Sequence, residues 1–163
     1  MFMATASGAS STSFFLREVR VGSENVLDRG ISVPEGGAPG ELEVVLDFGG
    51  GSVSGRVLNE AGEAVSGVQV GLVIADKEKR SSDRFFRSGS VDQNGQYSLR
   101  GVIPGDYLLV AWPESDVSRI LDPDLFMQLE KHAVSVTVEK SAAASKVLKL
   151  TSDVKTIAQN LAK

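Results

Sequence analysis

Four aromatic side chains are the residues of this chain best suited to bind a ligand. Tyr107 and Trp112 bound the apolar run YLLVAW, and Phe85 and Phe86 are adjacent after a charged stretch. Exposed aromatic rings at the end of a β-domain form the surface against which sugar rings stack. The four are therefore candidate ligand-binding residues for a polysaccharide. Because Trp112 ends a strongly apolar strand, packing in the core or at an edge is the competing interpretation.

Residues suited to catalysis are scarce. The chain has one histidine and no cysteine. His132 follows Lys131 at the end of a predicted helix, where a histidine is usually solvated. One histidine without cysteine does not supply the several nitrogen or sulfur ligands of a zinc site. The sequence therefore predicts a non-enzymatic protein, with no catalytic residues, no metal site and no cofactor.

Two charged segments allow a functional and a structural interpretation. Asp92, Asn94 and Gly95 resemble part of a calcium loop, but the terminal bidentate glutamate of such a loop is missing. An Asn-Gly pair is also the strongest signal for a type I′ turn, which is the favoured interpretation. The run Lys77–Arg84 mixes both signs of charge and is predicted to be a solvated loop.

The composition of the 163-residue chain limits its partners. The net charge of −4 argues against a nucleic-acid surface, since such a surface needs a basic field. No apolar run reaches the roughly 20 residues of a membrane span. Residues 1–13 are mostly small and polar, which predicts a disordered leader without the pattern of a signal peptide. If the protein is exported, its signal therefore lies outside this chain.

Short apolar runs separated by turn residues make up most of the chain. Between Gly51 and Trp112 they recur about every ten residues, which is typical of an all-β sandwich or barrel. One of these strands is predicted over Phe85–Val91. Asp122 as N-cap and Pro123 in the first helical position predict a short helix near residues 122–131. Strands follow over 133–139 and 146–150, and residues 152–163 form a tail with some helical character.

The central stretch resembles a known family. The residues that carry the resemblance are VSGRV at 53–57, VSGVQV at 65–70, DQNGQY at 92–97 and PGDY at 104–107. They are similar to the carboxypeptidase regulatory-like domain, as found in bacterial envelope proteins. The resemblance implies a transthyretin-like (prealbumin-like), seven-stranded Greek-key β-sandwich over 49–151 and no catalysis in it. It also implies an exported protein, in the periplasm, in the cell envelope or outside the cell.

Residues 14–48 precede this domain and form a group of extra strands. FFLREVRV and ELEVVLDF both alternate, although in the first run Phe14 and Leu16 favour one face and Val19 and Val21 the other. Their order parallels the strands at 107–150, so they are either the end of a preceding sandwich unit or part of this one. The sequence predicts an interaction or scaffold module that pairs strand edges with neighbouring domains, a protein partner or a second copy. A carbohydrate-binding module is the alternative.

Overall fold

Ten β-strands and one α-helix are formed by the residues that the computed structural model describes, which are 14–27, 29–31, 40–113 and 123–150. The predicted leader at 1–13 and tail at 152–163 lie outside the described residues. The helix α1 spans Pro123–Leu129 and continues into a 3₁₀ turn, so the helix predicted near 122–131 is confirmed. The strands are β1 Phe14–Val21, β2 Glu24–Asn25, β3 Leu42–Phe48, β4 Gly51–Leu58, β5 Val68–Ile74, β6 Arg87–Ser90, β7 Gln96–Val102, β8 Gly105–Pro113, β9 Val134–Val138 and β10 Ala143–Lys149.

The seven strands β4 to β10 form a β-sandwich. One sheet has the order β10-β4-β7 and the other the order β6-β5-β8-β9. Strand β10 runs parallel to β4, whereas the other pairs are antiparallel. Consecutive strands repeatedly change sheets, as in a Greek key. The all-β, seven-stranded sandwich expected from the sequence is therefore confirmed.

The core lies between these two sheets and extends over the outer face of the larger one. Strand β5 is buried along its whole length because both of its faces are covered. Val70 and Leu72 on one face pair with Ala111 and Leu109 of β8. Among the described residues, none before Gly49 belongs to the buried core. The sandwich therefore packs without the N-terminal strands.

The Asn-Gly turn differs from the predicted type I′. Among the described residues other than glycine, Ser141 alone has a positive φ, so Asn94 does not adopt the left-handed conformation that type I′ requires. Gly95 has a φ of +74° instead, and its N–H donates to the carbonyl of Asp92 at 3.0 Å. The turn joins β6 and β7, which belong to different sheets. It therefore makes a corner of the sandwich rather than a two-residue hairpin.

The strand predicted over Phe85–Val91 is shorter than expected. Residues Asp83–Phe85 form a 3₁₀ turn, and β6 begins only at Arg87. The Arg87 guanidinium donates to the carbonyl of Phe86 at 2.7 Å and to that of Gly101 at 3.2 Å. These bonds hold the segment in a compact turn, although its aromatic residues have a high preference for strands.

The N-terminal strands form a separate three-stranded sheet with the order β2-β1-β3. The pairing of β1 with β3 shifts by one residue between Leu16 and Glu18, which is a β-bulge. A bulge moves all following side chains to the other face. It explains why the alternation of β1 reverses. The predicted parallel between residues 14–48 and the strands at 107–150 holds only in part. The last N-terminal strand, β3, pairs with β1, whereas the last strand of the sandwich, β10, pairs with β4 and not with β8.

Arg80 connects helix α1 and the 3₁₀ turn that follows it to the loop after β5. It belongs to the run Lys77–Arg84, which the sequence predicts to be a solvated loop. Its guanidinium donates to the carbonyls of Ile74 at 3.1 Å and Ala75 at 3.2 Å. It also pairs with Glu130 at 3.0 Å and lies 4.9 Å from the ring centroid of Phe126. The hydrogen bond from Arg80 lowers the pKa of the Glu130 carboxyl. The prediction of a solvated loop is therefore wrong at this residue.

Replacing Arg80 with alanine is expected to lower the free energy of unfolding by about 1–3 kcal/mol, since two carbonyls and a carboxylate lose a charged donor. Urea unfolding followed by Trp112 fluorescence measures this change. Lys79→Ala is the matched control, because the ion pair of Lys79 with Asp76 joins two exposed side chains. An equal loss in both variants would show that Arg80 does not hold the helix.

Candidate functional site

Trp112 lies in the interior, with only 1% of its surface exposed. It faces away from the core between the sheets, and a Cβ on Gly71 would lie 2.6 Å from its Cζ3 atom. Glycine at position 71 therefore makes room for the indole ring. The indole N–H is buried and finds no acceptor among the described residues. The burial of Trp112 favours a packing role over sugar stacking, since stacking needs an exposed ring face.

Tyr107 lies in the core on the opposite face of the sheet from Trp112. The two residues are five positions apart on β8, whose register with β5 is regular, and side chains alternate along a strand. Tyr107 is 1% exposed, and its hydroxyl donates to the carbonyl of Ile103 at 2.8 Å. The two residues therefore do not form one binding platform.

Phe85 and Phe86 take different positions near the sandwich. Phe85 is 8% exposed and is covered by the Arg84 guanidinium, 4.3 Å from its ring centroid. Phe86 packs partly buried near Gly71, beside Trp112. The structure thus brings together two of the four candidate residues, Phe86 and Trp112. Both serve the packing of the outer face of the larger sheet.

The side chain of Asp92, the acidic residue of the candidate calcium loop, stabilises a turn. The Asp92 carboxylate accepts hydrogen bonds from the backbone N–H groups of Asn94 and Gln96, both at 2.8 Å. This is the turn interpretation of the segment. Nowhere in the described part of the chain do three or more histidine, cysteine, aspartate or glutamate side chains gather in a metal-binding arrangement.

Strands β1 and β3 together present an apolar surface that their sequences indicate only indirectly. Residues paired across antiparallel strands lie on the same face of the sheet. The bulge therefore places the apolar side chains from both halves of β1 on one side. Five of the side chains on this side are between 37% and 56% exposed. We call this surface the β1–β3 apolar face, and it comprises Phe14, Leu16, Val19, Val21, Leu42, Val44, Leu46 and Phe48.

The opposite face of β1 and β3 carries charged side chains, and several of them form ion pairs. Arg17 and Arg20 both form ion pairs with Glu18, and Arg17 also approaches Asp47. Asp47 accepts a hydrogen bond from Lys140 at 2.8 Å, and this bond lowers the pKa of its carboxyl. The pair of strands β1 and β3 is therefore amphipathic, with its charges on the side that carries the contact to Lys140.

The sheet is joined to the sandwich by a closely packed glycine segment. A Cβ on Gly50 would lie 3.1 Å from the Cα of Gly101, and one on Gly51 would lie 2.9 Å from the carbonyl oxygen of Glu139. The N–H of Ser141 donates to the carbonyl of Gly49 at 2.7 Å. These glycines let the chain pass close to its neighbours where it leaves β3 and enters β4.

The fold and these surfaces define a β-sandwich domain with an added amphipathic sheet. Residues 48–152 match the family described as the BOS complex subunit NOMO1-like, second β-sandwich domain. The chain belongs to this family. No curated protein matches the sequence significantly.

Several solved structures are similar to the chain at low sequence identity. The TIE protein of Bacillus anthracis is 16% identical over 68% of this chain, with a TM-score of 0.42, and the chain spans about a fifth (20%) of it. The major pilin subunit of Bacillus cereus is 16% identical over 69% of this chain and 32% of its own, with a TM-score of 0.42. A proposed carbohydrate-binding protein from Pseudomonas aeruginosa is 15% identical over 63% of this chain and 89% of its own, with a TM-score of 0.39.

Proposed function

We propose that this chain is a non-enzymatic interaction or scaffold module of an exported bacterial multidomain protein. The observation that carries this proposal is the β1–β3 apolar face, which stands exposed beside a sandwich whose own core is closed. An extended apolar surface in a soluble protein is typical of a site where another protein binds. The sandwich holds the sheet in place, and the sheet makes the contact.

The packing of the aromatic residues supports a scaffold role. Trp112, Tyr107 and Phe85 are buried, so their large apolar surfaces stabilise the sandwich itself. The hydroxyl of Tyr97 also stays inside, where it donates to the carbonyl of Lys146 at 2.7 Å. Strand edges supply a second means of contact, since among the described residues the outer strand of each sheet has a neighbouring strand on one side only.

The family supports the same role. It is named for a subunit of a protein complex, and a module of such a subunit is expected to contact other proteins. We further propose that the sandwich over 49–151 is of the carboxypeptidase regulatory-like kind, on the motifs VSGRV and DQNGQY, and that residues 14–48 are extra strands from the end of a preceding sandwich unit. Export rests on the same motifs. Among the described helices, none has the length and apolar character needed to cross a bilayer.

The fluorescence of Trp112, the single tryptophan, separates this function from carbohydrate binding. Because Trp112 is 1% exposed, we expect a blue emission, weak quenching by acrylamide and no change on adding a panel of soluble polysaccharides. Calorimetric titration with the same panel covers sites remote from Trp112. Saturable binding of one glycan, with a shifted emission that is lost in Phe86→Ala, would replace the scaffold proposal with a carbohydrate-binding module.

A further inference from the structure

We propose that a second copy of this chain covers the β1–β3 apolar face, so that two such faces pack against each other across a twofold axis. This inference rests on the proposed function, because it names the partner of the surface that carries that function. It concerns the face of the sheet, not its edge. Two three-stranded sheets would become the two layers of a six-stranded sandwich, about 10 Å apart.

The size of the surface suits a reversible dimer. The five exposed side chains, which are Phe14, Leu42, Val44, Leu46 and Phe48, present on the order of 400 Å² of apolar surface, as much as the largest patch of a typical monomer. Two copies would bury roughly twice that area, and the half-buried Leu16, Val19 and Val21 would add to it. The total lies near the roughly 1,000 Å² expected of a specific but weak interface. We therefore expect a dissociation constant in the micromolar range.

The distribution of charge favours a second copy. None of the eight side chains of the β1–β3 apolar face is ionisable. Glu24 of the outer strand β2 pairs with Val21, so it lies beside this face on the same side of the sheet, where it forms an ion pair with Arg29 at 3.5 Å. Two copies can therefore pack these eight side chains together across a twofold axis without bringing like charges together at the centre of the contact. In β1 and β3 the charged side chains lie on the opposite face, where Glu18 pairs with Arg20 and Asp47 pairs with Lys140. Packing the apolar faces therefore buries no unpaired charge, which is the usual obstacle to self-association.

The shape of the surface also favours a second copy. A twofold interface requires a surface to be its own complement. A β-sheet face lined with aliphatic and aromatic side chains meets this requirement, because the inner faces of sandwiches pack in the same way. Edge pairing through β3 would extend the sheet and leave its apolar face in water. Face-to-face packing removes that face from water, so it is the arrangement that the burial of apolar surface drives.

The test is sedimentation velocity of the full chain from about 1 to 500 µM, a range that brackets the expected dissociation constant. The wild type is expected to change from monomer to dimer within this range. Val44→Asp places a charge within the face and is expected to weaken the dimer by at least about tenfold. Val147→Asp is the matched control, since Val147 is also a strand valine, 56% exposed against 50% for Val44, and lies on β10. It is expected to leave the dimer unchanged.

A second measurement does not require a destabilising charge. The chain has no cysteine, so Val44→Cys and Val147→Cys each introduce a single thiol. Val44 lies near the middle of β3, and the β1–β3 apolar face is only two strands wide, so in a face-to-face dimer the two copies of position 44 lie within reach of a short bifunctional maleimide. This reagent is expected to crosslink Val44→Cys far faster than Val147→Cys. Circular dichroism and Trp112 emission check that each variant is folded.

Three results would overturn the inference. They are a wild type that stays monomeric throughout the range, a dimer that Val44→Asp and Val147→Asp weaken equally, and equal crosslinking of the two cysteine variants. These failures differ from a failure of the proposed function. If the chain is monomeric and binds no glycan, only the proposal of a dimer fails. If the chain binds a glycan saturably, the proposed scaffold function fails, whether or not the chain forms dimers.

Discussion

Replacing Gly55 with alanine is expected to lower the free energy of unfolding of the sandwich by at least about 3 kcal/mol. Gly55 lies in β4, between Tyr97 of β7 and Lys146 of β10. A Cβ at this position would overlap the carbonyl oxygen of Lys146 and lie 2.9 Å from the hydroxyl of Tyr97. That carbonyl accepts the hydrogen bond of Tyr97, so the substitution would disturb the pairing of β4 with β10 and this bond together.

Gly62→Ala is the control for this experiment. Gly62 has a φ of +84°, and a Cβ there would meet nothing within 4 Å. Its replacement therefore introduces backbone strain without overlap and is expected to destabilise the protein by about 1–2 kcal/mol. Urea unfolding of both variants, monitored by the Trp112 emission, gives the two values. Equal losses of stability would show that the close approach of Lys146 to Gly55 adds nothing to the effect of the substitution.

A double variant identifies the atom responsible. Tyr97→Phe removes the hydroxyl near Gly55 but leaves the carbonyl of Lys146 in place, and the backbone moves less easily than a side chain. We therefore expect Tyr97→Phe not to rescue Gly55→Ala. A restored stability would assign the overlap to the tyrosine hydroxyl and would contradict this account.

The sandwich was largely predictable from the sequence because its turns are marked by particular residues. Gly62 lies between β4 and β5, Gly95 between β6 and β7, and the Pro-Gly pair at 104 between β7 and β8. The type of the turn at Asn94 was not predictable in the same way. A type I′ turn serves two strands of one sheet, whereas β6 and β7 lie in different sheets. The geometry of that turn follows from tertiary structure.

The candidate ligand-binding residues show what alternation does and does not predict. The five-residue spacing between Tyr107 and Trp112 already places them on opposite faces of one strand. What the sequence does not show is that both faces of β8 are covered, since Phe86, which lies beside Trp112, comes from a distant part of the chain. Burial on the outer face is thus a property of the assembled fold.

The β1–β3 apolar face was the least predictable feature. The bulge after Leu16 reverses the alternation of β1. Simple alternation therefore assigns the apolar side chains of β1 to two faces, whereas the structure places them on one. Alternation in β3 is visible, but it has the same period whether or not another layer covers the apolar side. The exposure of Val44 and Leu46 therefore becomes clear only when the surrounding elements are in place.

Raising the pH from 10 to 12 is expected to remove about 4 kcal/mol of stability, because the two tyrosines of the chain are both buried. Burial raises the pKa of Tyr97 to about 12 and that of Tyr107 to about 12, the latter against the opposing effect of Arg87. A raised pKa means that the folded protein holds the phenolic proton more tightly than the unfolded chain. This stability is complete below pH 10, the ordinary pKa of tyrosine, and is lost as the pH approaches 12.

Two measurements check this expectation. Phenolate absorbance should rise together with the loss of folded Trp112 emission, since each ring ionises fully only when it reaches water. Urea unfolding at pH 8, 10 and 11 should show falling stability in the wild type and about half that dependence in Tyr97→Phe or Tyr107→Phe. Each of these variants loses its hydrogen bond to Lys146 or Ile103 and so starts less stable at pH 8. Phenolates that form near pH 10 in a chain that stays folded would mean that water reaches the hydroxyls within the sandwich.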